Sequence, residues 1–355
     1  MTETSNVTER AEPRIQATIM TVGAGALGGA ILSQTGLPLA WLLGAMLASA
    51  GCALSGARLH VPAALRSGML AVLGILVGAT FTPDVLDSMT HWSVMLVLLT
   101  LFVALATALG TVFFRKAGGF DWKTAYFAAL PGGVAETTLA AEMTGADVRA
   151  VSVAHTLRLA GVVFLVPLYF RFTTGFDSSG IMRTNAVDAI GPTEALMLIA
   201  CGVIGVPLAC LVRLPAAPLL GPLIASAALH LGGFSHMRPP VVLVNAAQVV
   251  LGAAIGTRFS GTRISELGRM LVVSSAWIVL VLALAVATSL LAAPYVALDH
   301  NGILLSLTPG GLAEMSIIAL ALGIDTAFVS TLQIARYFLV ILSGPLIYRL
   351  ISRRC

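Results

Sequence analysis

From residue 15 to residue 350 the chain is a succession of apolar stretches, each near the length of a bilayer crossing and parted by short loops. Crossing about 30 Å of hydrocarbon takes about 20 residues at 1.5 Å each. The stretches fall at 15–34, 37–54, 66–82, 92–114, 124–145 and 148–170, then at 191–212, 215–232, 241–257, 269–292, 303–322 and 326–350. Inside lipid, backbone groups must be bonded within the protein, so only helices or closed barrels span. The alternating ten-residue pattern of a barrel strand does not occur, which leaves helices. Composition closes off the soluble alternatives. Hydrophobic residues make up 58% and charged residues 10%, against about 25% charged in a globular domain, and the mean hydropathy is +0.96. The fold class is therefore all-α, a polytopic membrane protein, and a water-soluble enzyme is excluded.

The chain is also duplicated. Leu37-Pro-Leu-Ala-Trp-Leu-Leu-Gly44 matches Leu214-Pro-Ala-Ala-Pro-Leu-Leu-Gly221, and Leu73, Gly74, Gly78 and Phe81 match Leu251, Gly252, Gly256 and Phe259. Pro131-Gly-Gly-Val-Ala-Glu136 matches Pro309-Gly-Gly-Leu-Ala-Glu314. The same register carries Gly145, Asp147, Ser152, Arg158, Pro167 and Arg171 onto Gly323, Asp325, Ser330, Arg336, Pro345 and Arg349. Apolar bias produces chance Leu and Ala matches, but not Pro, Glu, Asp and Arg in one register. Residues 15–178 form the first membrane repeat and 190–355 the second, after a polar tail at 1–14. That tail mixes Glu3, Glu9, Arg10, Glu12 and Arg14. It lacks the basic character of a cleaved leader, so the first apolar stretch is expected to remain as a helix.

Loop charge orients the halves, because cytoplasmic loops favour Lys and Arg. In the first half Arg58 and Arg66 follow the second stretch, Asp84 and Asp87 the third, and Arg115, Lys116 and Lys123 the fourth. In the second half Arg258, Arg263 and Arg269 stand at the counterpart of the acidic loop, and Asp299 and His300 at the counterpart of the last basic one. The repeats are thus inverted, which requires an odd number of crossings in each. Six stretches per half become five crossings if 124–145 and 303–322 are re-entrant or broken at their Pro-Gly-Gly. With that count Arg349, Arg353 and Arg354 fall on the cytoplasmic side together with the N-terminus.

The Pro-Gly-Gly breaks are where chemistry is expected. Gly132 and Gly133, like Gly310 and Gly311, permit unusual backbone angles, and a half-helix starts just after them. Its first N–H groups lack partners and its dipole end is positive, which suits an anion or the carboxylates of Glu136 and Glu314. Inverted-repeat transporters place substrate and coupling-ion sites where two interrupted helices meet. The following helix supplies Ser152, His155 and Arg158 at a spacing of three, hence on one face, and its copy supplies Ser330, Gln333 and Arg336. An arginine deep in an apolar helix is costly unless partnered. Pairs of Glu136 with Arg158 and of Glu314 with Arg336 are expected, serving either a site or the locking of the repeats. His155 is a proton acceptor near neutral pH or a hydrogen-bonded packing residue. Asp147 and Asp325 are read as helix caps, and Thr137, Thr138, Glu142, Asn245 and Gln248 as polar residues available to a cavity.

Other chemistries find little support. The four cysteines, Cys52, Cys201, Cys210 and Cys355, form no CxxC pair, and the six histidines have no ligand spacing, so no metal and no cofactor is expected. The net charge of +4 is too small and scattered for a nucleic-acid footprint, and direct nucleic-acid contact is not expected.

The duplicated Leu-Pro…Leu-Leu-Gly and Pro-Gly-Gly-x-Ala-Glu blocks resemble the AbrB family of bacterial inner-membrane proteins, over about residues 20–350. This family is distinct from the small soluble DNA-binding regulator of the same name. The resemblance implies the internal duplication and a bacterial inner-membrane location. Its architecture is similar to the inverted-repeat fold of cation/proton antiporters and bile-acid-type symporters, a panel plus a core of crossed broken helices. Members carry labels for regulation of gene expression or for ammonia monooxygenase. The second label fits poorly, since the clustered metal ligands of such an enzyme are not visible. The expectation is a non-enzyme: a secondary transporter of a small organic anion or amphipathic solute, with H⁺ or Na⁺ as the candidate coupling ion. The alternative is a non-transporting membrane sensor that affects gene expression indirectly. Expected partners are membrane lipid, the small-molecule solute and a second copy in a homodimer.

Overall fold

The computed structural model describes residues 3–83, 92–174, 191–260, 264–296 and 299–352. Asp84, Asp87, Arg263, Arg353 and Arg354 lie outside the described residues, as does the side chain of Arg349. Within them the chain is all-helical. The first repeat contains α1 (Glu3–Ser33), α2 (Ala40–Leu54), α3 (Ala63–Gly78), α4 (Trp92–Phe113), α5 (Trp122–Ala129), α6 (Val134–Thr144) and α7 (Val148–Thr174). The second contains α8 (Pro192–Leu211), α9 (Ala217–Leu231), α10 (Val241–Gly256), α11 (Ile264–Ala292), α12 (His300–Leu307), α13 (Leu312–Ala321) and α14 (Thr326–Ser352). Among the described residues seven helices are long and apolar enough to cross a membrane, and α2, α3, α9 and α13 are shorter apolar helices. This is a multi-pass membrane protein. The segment expected as a tail is helical, because α1 begins at Glu3 and only its portion from Arg14 has the length and hydropathy of a span.

The compact bodies are not the repeats. One unit comprises residues 1–83 and 167–264 and the other 84–166 and 265–355, so each takes helices from both copies. In the first unit glycines let backbones touch. A β-carbon on Gly28 would collide with the Gly44 carbonyl, and one on Gly205 with the Gly221 backbone, which joins α1 to α2 and α8 to α9 in equivalent ways. Between copies, Gly74 of α3 lies against Leu219 O of α9, and Gly252 of α10 against Leu42 O of α2. The exchange is reciprocal, as a two-fold relation between repeats requires. Here the small-xxx-small spacing Gly74-x-x-x-Gly78 serves close packing against α9.

In the second unit, each Pro-Gly-Gly segment is a re-entrant hairpin of two half-helices. At the base of the first, Lys123 Nζ donates to Thr144 O at 3.2 Å and the Asp147 N–H donates to Thr124 Oγ1 at 2.9 Å. The start of α5 and the end of α6 therefore lie at one level. The second hairpin closes likewise: a β-carbon on Gly302, near the start of α12, would lie 3.4 Å from Ile324, just past the end of α13. The aspartates after each hairpin cap the next long helix, with Ala150 N donating to Asp147 Oδ1 and Phe328 N to Asp325 Oδ1, both at 3.0 Å.

Helix α14 records how the two hairpins are related. Its Phe328 lies near the base of the second hairpin at Gly302, Gln333 bonds Leu305 O, and Arg336 bonds that hairpin's tip at Thr308 and Gly310. The next residue, Tyr337, bonds Glu136 at the tip of the first hairpin, and Val340 packs on Gly132. Further along, Gly344 O accepts from Tyr126 Oη at 2.9 Å, and Tyr348 packs on Tyr126 and Phe127 of α5. The two hairpins thus enter from opposite ends of α14 and meet at its middle. Charge agrees with that inversion. Arg269 of α11 donates to Ala117 O at 3.1 Å and Arg115 stacks over Trp122, at the end where the base of the first hairpin carries Lys123. Asp299 and His300 stand at the base of the second.

Candidate functional site

At the first tip, α5 ends at Ala129 and α6 begins at Val134, leaving carbonyls without helical partners. Arg158 of α7 takes them. Its Nη1 donates to Leu130 O at 2.8 Å and its Nη2 to Gly132 O at 2.7 Å. Arg336 repeats the clamp on Thr308 O and Gly310 O, the latter at 2.6 Å. One turn earlier, His155 Nε2 donates to Phe127 O at 2.9 Å, and Gln333 Nε2 to Leu305 O at 2.7 Å. A carbonyl only accepts, so Nε2 of His155 carries the proton. His155 and Gln333 therefore do one job in the two copies, and the packing reading of His155 has the geometry behind it.

The expected pair of Glu136 with Arg158 is not formed. The terminal nitrogens of both arginines are spent on backbone carbonyls, and Glu136 accepts instead from the Tyr337 hydroxyl. Unpartnered carbonyls at a helix break are costly in an apolar surrounding, and a planar guanidinium spans two of them at once. The carboxylates turn back over the break. A β-carbon on Gly133 would overlap Glu136 Oε2, and one on Gly311 would overlap Glu314 Oε2. This corrects the reading of those glycines as sources of unusual backbone angles. Gly133 has φ −69° and ψ 145° and Gly311 φ −77° and ψ 149°, ordinary extended values. Gly132 and Gly310 are likewise outside the left-handed region. The glycines clear space: Gly132 for Thr137 and Val340, Gly310 for Met315, and Gly133 and Gly311 for the glutamates.

Arg158, Arg336, His155, Ser330 and Gln333 are all buried, whereas Ser152 is half-buried and makes no hydrogen bond. The two guanidiniums are close enough to interact electrostatically. Each leaves its Nε buried without a partner, as do Nδ1 of His155 and Oε1 of Gln333. Thr137 and Thr138 bond back to Gly133 O and Val134 O within α6, while Asn245 and Gln248 belong to the first unit. Tyr337 was not legible as a site residue. Its signal is a break in the repeat: a hydroxyl-bearing aromatic next to a buried arginine, where the other copy has Leu159.

Two inverted copies that drive re-entrant hairpins tip to tip through an all-helical body define a duplicated integral membrane protein of the inverted-repeat class. Within that class the chain belongs to the AbrB family: residues 41–352 match the family described as "Transition state regulatory protein AbrB". It is 27% identical over 319 residues to "Putative regulator AbrB" of Escherichia coli (strain K12), covering 89% of this chain and 91% of that protein. It is 28% identical over 355 residues to "Uncharacterized protein YhjN" of Bacillus subtilis (strain 168), covering 93% and 92%. No solved structure matches.

Proposed function

We propose that the chain is a secondary transporter of a small organic anion or amphipathic solute in the bacterial inner membrane, with both termini cytoplasmic and an H⁺ or Na⁺ gradient as driving force. The observation that carries this reading is the meeting of the hairpin tips at the middle of α14, where Tyr337 bonds Glu136 of the first tip, Arg336 holds the carbonyls of the second, and Arg158 holds those of the first. Two half-helix N-termini, those of α6 and α13, begin at the tips and add positive dipole ends to two guanidinium charges. The arginines act on the solute through their charge and through Nε, since their terminal nitrogens hold the breaks. Glu136 and Glu314 balance that charge and provide the cation's counter-ions. The basic end of the first hairpin faces the cytoplasm in this reading.

The competing reading, a sensor without transport, draws on the regulator name of the Escherichia coli relative and on the structural use of the arginines. Reconstituted vesicles separate the two. A panel of radiolabelled mono- and dicarboxylates and bile-salt-like amphiphiles is offered under proton and sodium gradients. Wild type is expected to accumulate at least one, and Glu136→Gln to slow it by roughly ten- to a hundredfold, the size of one lost charge-assisted contact. Flux unchanged in Glu136→Gln, Glu314→Gln and the double variant contradicts the assignment. A complete absence of flux favours the sensor.

A further inference from the structure

At the end of α9 one histidine ring faces acceptors at both of its nitrogens. His230, in the last turn, is 3% exposed. Its Nδ1 stands 2.7 Å from Ser226 O, one turn back, and its Nε2 stands 3.0 Å from Met237 O. Past the helix the chain turns at Gly233, with φ +71°, and Met237 N donates to the buried Ser235 Oγ at 3.2 Å, which holds Met237 beside the ring. A carbonyl oxygen accepts and never donates. A neutral imidazole has one N–H and one bare nitrogen, so either tautomer sets a lone pair against a carbonyl oxygen at hydrogen-bond distance. The imidazolium, a donor at both nitrogens, satisfies both contacts, and its charge suits the carbonyl end of a helix. The neighbouring hydroxyl, Ser226 Oγ, is 3.4 Å from Nδ1 and donates to Ile75 O of α3 at 2.9 Å. Its single proton cannot serve both.

Charged and titratable groups on the elements packed against α9 are few. α3 carries Arg66, α8 carries Glu194, Cys201 and Cys210, and the loop after α9 carries His236 and Arg238. Gly74 and Gly78 lie against Leu219 and Leu223, so α3 runs parallel to α9 and Arg66 stands at the far end. Glu194 Oε2 accepts from its own Gly191 N. Asp84 and Asp87, which follow α3, lie outside the described residues. Among the described residues the ring's partners are oxygens of Ser226 and Met237. The first copy has no such ring. In the register that pairs Gly44 with Gly221, Ser226 falls on Ser49, which bonds its own helix at Ala45 O, and His230 falls on Ala53.

We propose that His230 is a proton-binding site whose imidazolium ties the end of α9 to the 235–237 loop and leaves the Ser226 hydroxyl to hold α3. Loss of the proton breaks one of these ties: a bare Nε2 releases Met237 O, and a bare Nδ1 draws the Ser226 proton away from Ile75 O. Because α3 and α9 come from different copies, acid strengthens the contact between the repeats within the first unit. Histidine exchanges its second proton between about pH 5 and pH 8. The added stability is present at the acid end of that range and lost towards the alkaline end. The proposal goes beyond the transport reading and needs only the fold.

The purified full chain in detergent is unfolded thermally in steps from about pH 5 to about pH 8, alongside His230→Gln and His236→Gln. Over this range wild type is expected to lose roughly 2–4 °C more than His230→Gln, the shift that about one hydrogen bond produces in a large domain. His236 is exposed, and His236→Gln is expected to follow wild type. Parallel profiles for wild type and His230→Gln overturn the proposal and make His230 a neutral packing residue. Amide exchange in wild type supplies a readout that needs no variant to fold. Corrected for the intrinsic effect of pH, residues 231–238 are expected to exchange more slowly at the acid end, and equal corrected rates overturn the proposal as well. Neither measurement depends on solute flux, so this site and the transport reading fail separately.

Discussion

Gly133 and Gly311 have backbone angles that any residue adopts, yet neither has room for a methyl group, because the glutamate three positions on lies where a β-carbon would project. Gly133→Ala, whose methyl would also meet the Tyr337 ring at 2.8 Å, is therefore expected to destabilise the protein by about 1–3 kcal/mol through overpacking, read as earlier thermal unfolding, whereas Gly311→Ala displaces only the flexible Glu314 carboxylate and should cost less. The Tyr337 hydroxyl is the first-copy carboxylate's link to α14, and the repeat counterpart of Tyr337 is Leu159. Tyr337→Phe is expected to lower stability by about 1.5–3 kcal/mol, the range for a hydrogen bond to a charged group, while Leu159→Phe has a smaller effect. Equal effects in both copies would remove the asymmetry. His155→Gln copies the second repeat into the first. Since Gln333 makes the equivalent bond, the variant should unfold within about 1 kcal/mol of wild type. At this scale the sequence displayed the glutamates, arginines and glycines through their duplication. It did not display their partners, because carbonyls at a helix break and a hydroxyl 201 positions from its acceptor leave no periodic trace.

Each half-helix of a hairpin is too short to stand alone. α5 and α12 have eight residues each, and α6 and α13 have eleven and ten, below the roughly 12–15 at which an isolated helix becomes even marginal in water. What holds them is the long helix behind. Arg158 and Arg336 close the carbonyl ends of the first half-helices, and Tyr126 reaches from α5 to Gly344 of α14. Arg158→Lys cannot span Leu130 O and Gly132 O with one planar fork, so one of the two charged hydrogen bonds is lost at a cost of about 1–3 kcal/mol, although Leu130 O keeps the Gly132 N–H at 2.8 Å. Chemical unfolding of that variant against wild type measures it, and an unchanged midpoint would mean the clamp carries no weight. Re-entry itself was legible only as arithmetic: inverted halves need odd crossings, and six apolar stretches are even. Which element turned back was marked by Pro-Gly-Gly. Whether it was a hairpin or a broken span depended on contacts such as Lys123 with Thr144, which hydropathy does not encode.

For the whole chain, duplication and loop charge were enough to anticipate inversion, because Pro, Glu, Asp and Arg in register are visible in sequence and loop basicity reports side. The regrouping of helices from both copies into two compact units was not visible, since Gly74 and Gly252 read simply as small residues until Leu219 and Leu42 are seen against them. The account stands or falls on the two hairpins approaching from opposite faces of the membrane. In a cysteine-free background, single cysteines at Lys123 and Thr144 mark the base of the first hairpin, and at Asp299 and Gly323 the base of the second. Labelling with a membrane-impermeant thiol reagent, in intact cells and in inverted vesicles, should tag the two pairs from opposite sides. Both pairs reacting from the same side would contradict the inverted architecture and the tip-to-tip site built on it.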